Sequence, residues 1–340
     1  MNLLRFAGSI VLAFLASPGV AGQDTTTAPE PRGAMVDLGG HRLHIDCIGK
    51  GKPTVILENG FEEFSFDWIL VQTKVAKFAM VCAYDRAGYA WSDPGPKPRT
   101  FVQMNLELRD ALAKLGEHGP FVLVGHLFGG PVVRNFATTY PSDVAGMVFV
   151  DAVSEDQRFE MWHKAVLMRD GAKGKTVPAP HEDFLPSDKP DPPTYYRPAK
   201  KETVEPPFDR LPPGIQKLHL WAQSQRALAS AEENERAWSP EYFARWHANP
   251  ESSTLGPIPL VVLTRAQGGF RDDLDIPAAQ QEAERKQNQA RLAALSKNCD
   301  QRIVASGEDM QVEAPDAVVQ AIQDVMEAAR KSSSVQRRPH

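Results

Sequence analysis

The stretch that decides the fold is FVLVGHLFGG, residues 121–130. Its first four residues form an apolar run typical of a buried strand, and a helical stretch follows the last two glycines. The glycines stand where a tight turn would leave no room for a side chain. At the centre of the turn is Leu127, which has no atom that could attack a carbonyl group. The stretch therefore predicts a strand, a sharp turn and a helix, with hydrocarbon at the tip of the turn.

Apolar runs on both sides of this stretch predict further strands. They cover residues 34–38, 42–47, 54–57, 80–84, 144–150, 260–263 and 302–305. Thr100 with Gln103 forms a capping-box pattern that predicts a helix start, and apolar residues then recur at helical spacing. A final amphipathic helix is predicted to begin at Pro315. This alternation predicts an α/β fold with a mostly parallel sheet flanked by helices.

The alternation breaks in residues 154–257, and 11 of the 28 prolines fall within residues 178–213. An insertion of this length is expected to form a cap over the C-terminal edge of the sheet, where open α/β folds bind ligands. Aromatic residues elsewhere in the insertion favour a packed lid, whereas a disordered linker would suit only the proline-rich part. The predicted organisation is a signal peptide at 1–21, a linker at 22–33, a core at 34–153 and 258–331, a cap at 154–257 and a disordered tail at 332–340.

The N-terminal residues predict the location of the protein, and the net charge limits its possible partners. Residues 1–21 combine a single Arg5, an apolar stretch and small residues at the expected cleavage spacing, which predicts a secreted or periplasmic protein. An uncleaved membrane anchor is the alternative, and no later segment is apolar for long enough to span a bilayer. The formal charge of -5 and the pI near 6.0 give no sequence-wide basic field, which argues against nucleic acid as a partner.

The three cysteines are too few and too scattered to predict a disulfide framework. Cys47 and Cys82 lie in apolar, strand-like runs and are expected to be buried small apolar residues. No metal-ligand spacing, dinucleotide fingerprint or P-loop is present in the sequence, so no cofactor or metal is predicted.

Several segments together resemble the α/β-hydrolase family, in particular its esterase-like members. These segments are residues 57–61, 84–94, 121–130 and 150–152, and the pair Ser306-Gly307 followed by Gln311 and Pro315. They occur in the order that the family has, and they are spread over most of the chain. The resemblance implies an α/β-hydrolase fold with an inserted cap.

The resemblance also assigns three catalytic slots, because the family uses a nucleophile on the elbow, an acid after a later strand and a histidine near the end. Leu127 occupies the nucleophile slot and Glu308 occupies the histidine slot. Asp151 is the predicted acid, with Asp272 and Asp273 as second choices. The triad is therefore expected to lack both its nucleophile and its base.

The oxyanion hole of the family is built from backbone, so the resemblance implies that it survives these substitutions. Its expected donors are the N–H of Phe128 and one from the loop at residues 60–62, with Phe61 as the predicted residue. Such a hole could orient a carbonyl ligand without supporting useful turnover.

Two polar positions, His126 and Glu308, leave alternatives open. His126 is either a packing residue or a replacement catalytic group. Glu308 either faces Asp151 in a dry pocket, where repulsion would raise one carboxyl pKa, or points to solvent. Asp85 and Arg86 are expected to form a structural ion pair.

The sequence thus supports three functional hypotheses. The first is a protein inactive as an ester hydrolase whose capped pocket binds a small apolar or ester-like molecule. The second is an esterase inactivated by substitution at Leu127 and Glu308. The third is a non-hydrolytic enzyme with Glu308 as general base. All three expect no stable membrane anchor after cleavage of the signal peptide, and they leave the oligomeric state open.

Overall fold

The computed structural model describes residues 28–161, 164–180, 202–266, 268–270 and 274–337. The predicted signal peptide lies outside the described residues, and of the predicted linker only residues 28–33 lie within them. The described residues from Pro31 onward belong to one compact unit.

Ten strands are found in the described part of the chain. In chain order they are β1 Ala34–Asp37, β2 Arg42–Ile48, β3 Val55–Glu58, β4 Val81–Tyr84, β5 Phe121–His126, β6 Val144–Val150, β7 Arg158–Met161, β8 Lys164–Leu167, β9 Leu260–Arg265 and β10 Cys299–Val304. Eight of them form one sheet in the order β1-β2-β4-β3-β5-β6-β9-β10, and β7 pairs with β8 in a separate hairpin. Only the β1–β2 and β2–β4 pairings of the eight-stranded sheet are antiparallel. The predicted mostly parallel sheet is confirmed.

Eight α-helices accompany these strands in the same described residues. They are α1 Ile69–Val75, α2 Phe101–Lys114, α3 Gly129–Thr139, α4 Pro213–Gln223, α5 Arg226–Ala248, α6 Ala278–Ala293, α7 Met310–Glu313 and α8 Pro315–Lys331. The predicted start of α2 is confirmed, because the Thr100 side chain accepts the backbone N–H of Gln103 at 3.2 Å. The predicted start of α8 at Pro315 is also confirmed. None of the helices within the described ranges is both long enough and apolar enough to cross a bilayer.

The sheet is covered on both faces, because alternate residues of its central strands enter two different apolar clusters. Leu123 of β5 packs in one cluster with residues of α2 and α3, such as Leu108 and Phe136. Val124 of the same strand packs in the other cluster with residues of α1 and α8, such as Ile322. All six residues of β5 are buried. This two-sided burial stabilises the strands. Because β3, β5, β6 and β9 pair in parallel, their C-terminal ends lie at one edge of the sheet.

The insertion between β6 and β9 contains the hairpin β7–β8 and the helices α4 and α5. Aromatic residues of α5, including Tyr242 and Trp246, pack in one cluster with Phe101 of α2 and Phe128 of the elbow. The described part of the insertion is therefore packed against the core, and its role as a lid over the sheet edge stays a prediction. Residues 181–201 of the proline-rich stretch lie outside the described residues.

Two of the three cysteines form a disulfide, so the expectation that they are merely buried small residues was wrong. Cys47 of β2 lies directly opposite Cys82 of β4 in the antiparallel register, and the two are bonded through their sulfur atoms. Their spacing of 35 residues along the chain gives no hint of this register. Cys299 is free, and burial raises the pKa of its thiol to about 12.

Candidate functional site

The elbow between β5 and α3 has the sharp geometry that its glycines predicted. Leu127 has a φ of 43°, in the left-handed region that side chains other than glycine rarely occupy. A Cβ at Gly129 would lie 2.6 Å from the backbone oxygen of Glu58, and one at Gly125 would lie 2.7 Å from the backbone oxygen of Gly129. Only glycine therefore fits on both sides of the leucine.

The backbone of the elbow is fixed against the end of β6. The N–H of Leu127 donates to the carbonyl of Val150 at 3.2 Å, and its own carbonyl accepts the N–H of Val153 at 3.0 Å. Between these two partners lies Asp151, which also has a φ of 43°. The residue assigned to the acid slot is thus held beside the elbow by main-chain hydrogen bonds, whereas the Leu127 side chain is half-buried and contributes only hydrocarbon.

Arg265, the last residue of β9, links the carboxylates assigned to the acid and histidine slots. Its Nε lies 3.3 Å from Asp151 Oδ2, and its Nη1 lies 2.5 Å from Glu308 Oε2. The Glu308 side chain is 51% exposed, whereas that of Asp151 is 4% exposed. Burial raises the pKa of Asp151, and Arg265 opposes that rise. Glu308 therefore does not face Asp151 across a dry pocket, because an arginine stands between the two carboxylates.

His126 lies behind the elbow tip and is completely buried. Its Nδ1 is 2.8 Å from Glu63 Oε2, and its Nε2 is 2.8 Å from the backbone oxygen of Glu308. Burial opposes a charge on the ring, but Glu63 outweighs it and raises the pKa of His126 to about 9. Burial also raises the pKa of the neighbouring Asp309 to about 7. Sequence reasoning found His126 but missed both carboxylates, because the three residues come from distant segments with no common motif.

The loop assigned to the oxyanion hole is held by the insertion. The Phe61 ring stacks on the Phe128 ring with 3.8 Å between centroids. The backbone N–H of Glu62 donates to Glu232 of α5 at 2.6 Å, and the guanidinium of Arg236 lies 3.8 Å from the Phe61 ring centroid. Burial raises the pKa of Glu232 to about 7. The two residues predicted to supply oxyanion donors are therefore neighbours, and their aromatic side chains form an apolar wall.

Asp85 and Arg86 bind different partners, so the expected ion pair between them was wrong. Asp85 Oδ2 lies 2.7 Å from His44 Nδ1. Arg86 binds Glu58 of β3 at 2.8 Å and Glu235 of α5 at 3.1 Å. It also donates to the backbone carbonyls of residues 59 and 60, immediately before the loop of Phe61. The structural role of Arg86 is therefore to join the sheet, this loop and the insertion.

The second-choice acids, Asp272 and Asp273, lie outside the described residues. Within the described ranges, Asp151 directly follows the end of β6 and lies beside the elbow.

The chain is similar to known proteins in sequence and in fold. A family model described as "Alpha/beta hydrolase family" matches residues 55–321. A curated relative, "Probable transporter efuK" of Hormonema carpetanum, is 31% identical over 129 residues, which cover 36% of this chain and 18% of that protein. The chain thus matches less than a fifth of that relative's length.

Solved hydrolase structures share the fold at low sequence identity. A mutant meta-cleavage product hydrolase from Pseudomonas fluorescens, complexed with acetates, has a TM-score of 0.60 at 15% identity, covering 88% of this chain and 98% of that one. A thermophilic esterase from Thermogutta terrifontis has a TM-score of 0.55 at 18% identity, covering 85% and 94%. Both describe the architecture of this chain, and neither assigns it a substrate.

Proposed function

We propose that this chain, which belongs to the alpha/beta hydrolase family, does not hydrolyse esters. Instead, it binds a small apolar or ester-like molecule in the cleft at its elbow. The observation that carries this proposal is Leu127 at the left-handed position of the elbow. In a serine protease, loss of the nucleophile or of the histidine lowers turnover about a millionfold.

Among the described residues, no neighbouring group is placed to replace the missing parts. His126 has both ring nitrogens engaged, one with Glu63 and one with the backbone of Glu308. Glu308 would have to give up its ion pair with Arg265 before accepting a proton. The same ion pair counts against Glu308 as the general base of a non-hydrolytic enzyme.

Binding is supported by the features that remain. The half-buried side chains of Leu127 and Phe61, with the Phe128 ring beneath, give the site an apolar surface. Backbone N–H groups at residues 61 and 128 would orient a ligand carbonyl without attacking it. Both features persist without a hydroxyl or an imidazole.

A second candidate function, an esterase inactivated by substitution, is favoured by the intact scaffold around Leu127. Gly125 and Gly129 still occupy positions that admit no other residue. In this reading, only the reactive side chains have been replaced.

One experiment separates these two functions. The wild-type chain, Leu127→Ser, Glu308→His and the double variant would each be treated with a fluorophosphonate probe and a nitrophenyl ester. We expect no labelling and no turnover by wild type, and circular dichroism would check that every variant is folded. Labelling of the wild-type chain would refute the proposal, whereas turnover by the folded double variant alone would favour the inactivated esterase.

We further propose that the chain is exported. The disulfide between Cys47 and Cys82 supports this, because such bonds persist in oxidising compartments. Cell fractionation with N-terminal sequencing of the mature protein tests it, and recovery of the intact N-terminus in the cytoplasm would contradict it.

A further inference from the structure

A compact cluster of possible metal ligands lies behind the elbow, apart from the Leu127 side chain. Glu63, His126 and Asp309 each offer one ligand atom, and these atoms all lie within 4.8 Å of one another. Glu63 and His126 are buried, and Asp309 is partly buried. Carboxylate oxygen and imidazole nitrogen are both common ligands of zinc.

The orientation of His126 favours metal binding, because one ring nitrogen faces the other ligands. Its Nε2 lies 2.8 Å from the backbone oxygen of Glu308, which can only accept a hydrogen bond, so Nε2 carries a hydrogen. The remaining nitrogen, Nδ1, then faces the Glu63 carboxylate at 2.7 Å. A lone pair on Nδ1 would repel that carboxylate, so a positive centre, either a proton or a metal ion, is required between them. A metal-bound histidine usually donates its other N–H to a carbonyl or carboxylate in the same way.

Gln311 supplies an independent observation at the same place. It is fully buried, and its Nε2 lies 3.4 Å from Glu63 Oε1. Its Oε1 finds no hydrogen-bond partner among the described residues. The amide that donates to Glu63 thus also carries a buried, unpartnered oxygen beside the cluster, which is an atom that a cation could bind.

The charges point in the same direction. Glu63 and Asp309 can contribute two negative charges, and the side chain of the adjacent Glu308 is already paired with Arg265 outside the cluster. A divalent cation bound by neutral His126 would balance the two carboxylates.

We propose that Glu63, His126 and Asp309 bind a divalent transition-metal ion, with zinc as the best match to one nitrogen and two oxygen ligands. Zinc lies about 2 Å from such ligands in a tetrahedral arrangement, so ligand atoms around it are about 3.3 Å apart. Because the ligand atoms here lie within 4.8 Å of one another, side-chain movements of up to about 1.5 Å would close a tetrahedral site. Metal binding does not depend on whether the cleft hydrolyses esters, so a failure of this proposal and a failure of the proposed function are detected separately.

The test is zinc titration of tag-free protein after removal of metal with a chelator. Calorimetry and competition with a chromophoric chelator should give one zinc per chain at micromolar affinity or tighter. Magnesium, which prefers an all-oxygen site with retained water, should bind at least about 100-fold more weakly. Absence of zinc uptake by the folded wild-type chain would overturn the proposal.

Two neighbouring substitutions locate the site. Asp309→Asn keeps the side-chain shape and should weaken zinc binding at least about tenfold. The matched control, Glu308→Gln, removes a charge one residue away whose carboxylate is paired with Arg265, and should not weaken zinc binding. Circular dichroism of both variants would confirm folding, and His126→Gln provides a second ligand variant. Equal zinc affinity in Asp309→Asn and Glu308→Gln would overturn the assignment to this cluster.

Discussion

Removal of the disulfide between β2 and β4 should destabilise the protein by several kcal/mol. The bond joins Cys47 to Cys82, which are 35 residues apart in sequence. For a loop of that length, the chain-entropy relation gives about 4 kcal/mol at 25 °C, from the smaller freedom of the cross-linked unfolded chain. The double variant Cys47→Ala/Cys82→Ala should therefore lose about 4 kcal/mol of unfolding free energy.

Urea unfolding of the wild type and the double variant measures this loss, and thiol counting checks its premise. Under denaturing, non-reducing conditions the wild type should expose one thiol, from Cys299, and after reduction it should expose three. Cys299→Ala is the matched control, since it removes a cysteine that closes no loop. A loss below about 1 kcal/mol in the double variant, or three thiols before reduction, would refute the reasoning.

Three further predictions concern the elbow, the insertion and α2. Between pH 4.5 and 7 the unfolding free energy of the wild type should fall by up to about 3 kcal/mol relative to that of Glu232→Gln. The reason is that the pKa of Glu232 is raised to about 7 in the folded state, which therefore keeps a proton that the unfolded state has released. Equal pH slopes of the two proteins in urea unfolding would contradict this. Gly129→Ala should destabilise the protein by about 1–3 kcal/mol through overpacking. Gly214→Ala in α4, where the added methyl group meets open space, should stabilise it by up to about 1 kcal/mol. Thermal unfolding should show shifts of opposite sign for the two variants. Thr100→Ala should cost about 1 kcal/mol by removing the N-cap of α2; an unchanged denaturation midpoint would count against the cap.

The fold could be predicted largely from local patterns. Buried parallel strands read as continuous apolar runs, and β5 and β6 were found in this way. Thr100 and Pro315 marked helix starts through capping chemistry that acts within a few residues. The Cys47–Cys82 pairing could not be predicted, because it depends on the register between two strands that are separated by another strand and a helix.

The residues of the candidate site that lie at strand ends could be predicted from the sequence. The contacts between residues of distant segments could not. Leu127 and Asp151 directly follow the ends of β5 and β6, and the family resemblance pointed to these two positions. Arg265 was missed as the partner of Asp151 and Glu308, because nothing in its own segment indicates a carboxylate opposite. Glu63 was missed for the same reason, since its partner lies 63 positions further along.

The contacts between α5 and the loop of Phe61 have a consequence for any experiment that deletes the insertion. Deleting the insertion would remove Glu235 and leave the guanidinium of Arg86 buried beside Glu58 with half of its countercharge gone. It would also release the hydrogen bond that Glu232 accepts from the loop backbone. A trimmed protein would thus have a changed Phe61 loop, so ligand affinities measured on it would not test the binding proposed for the full chain.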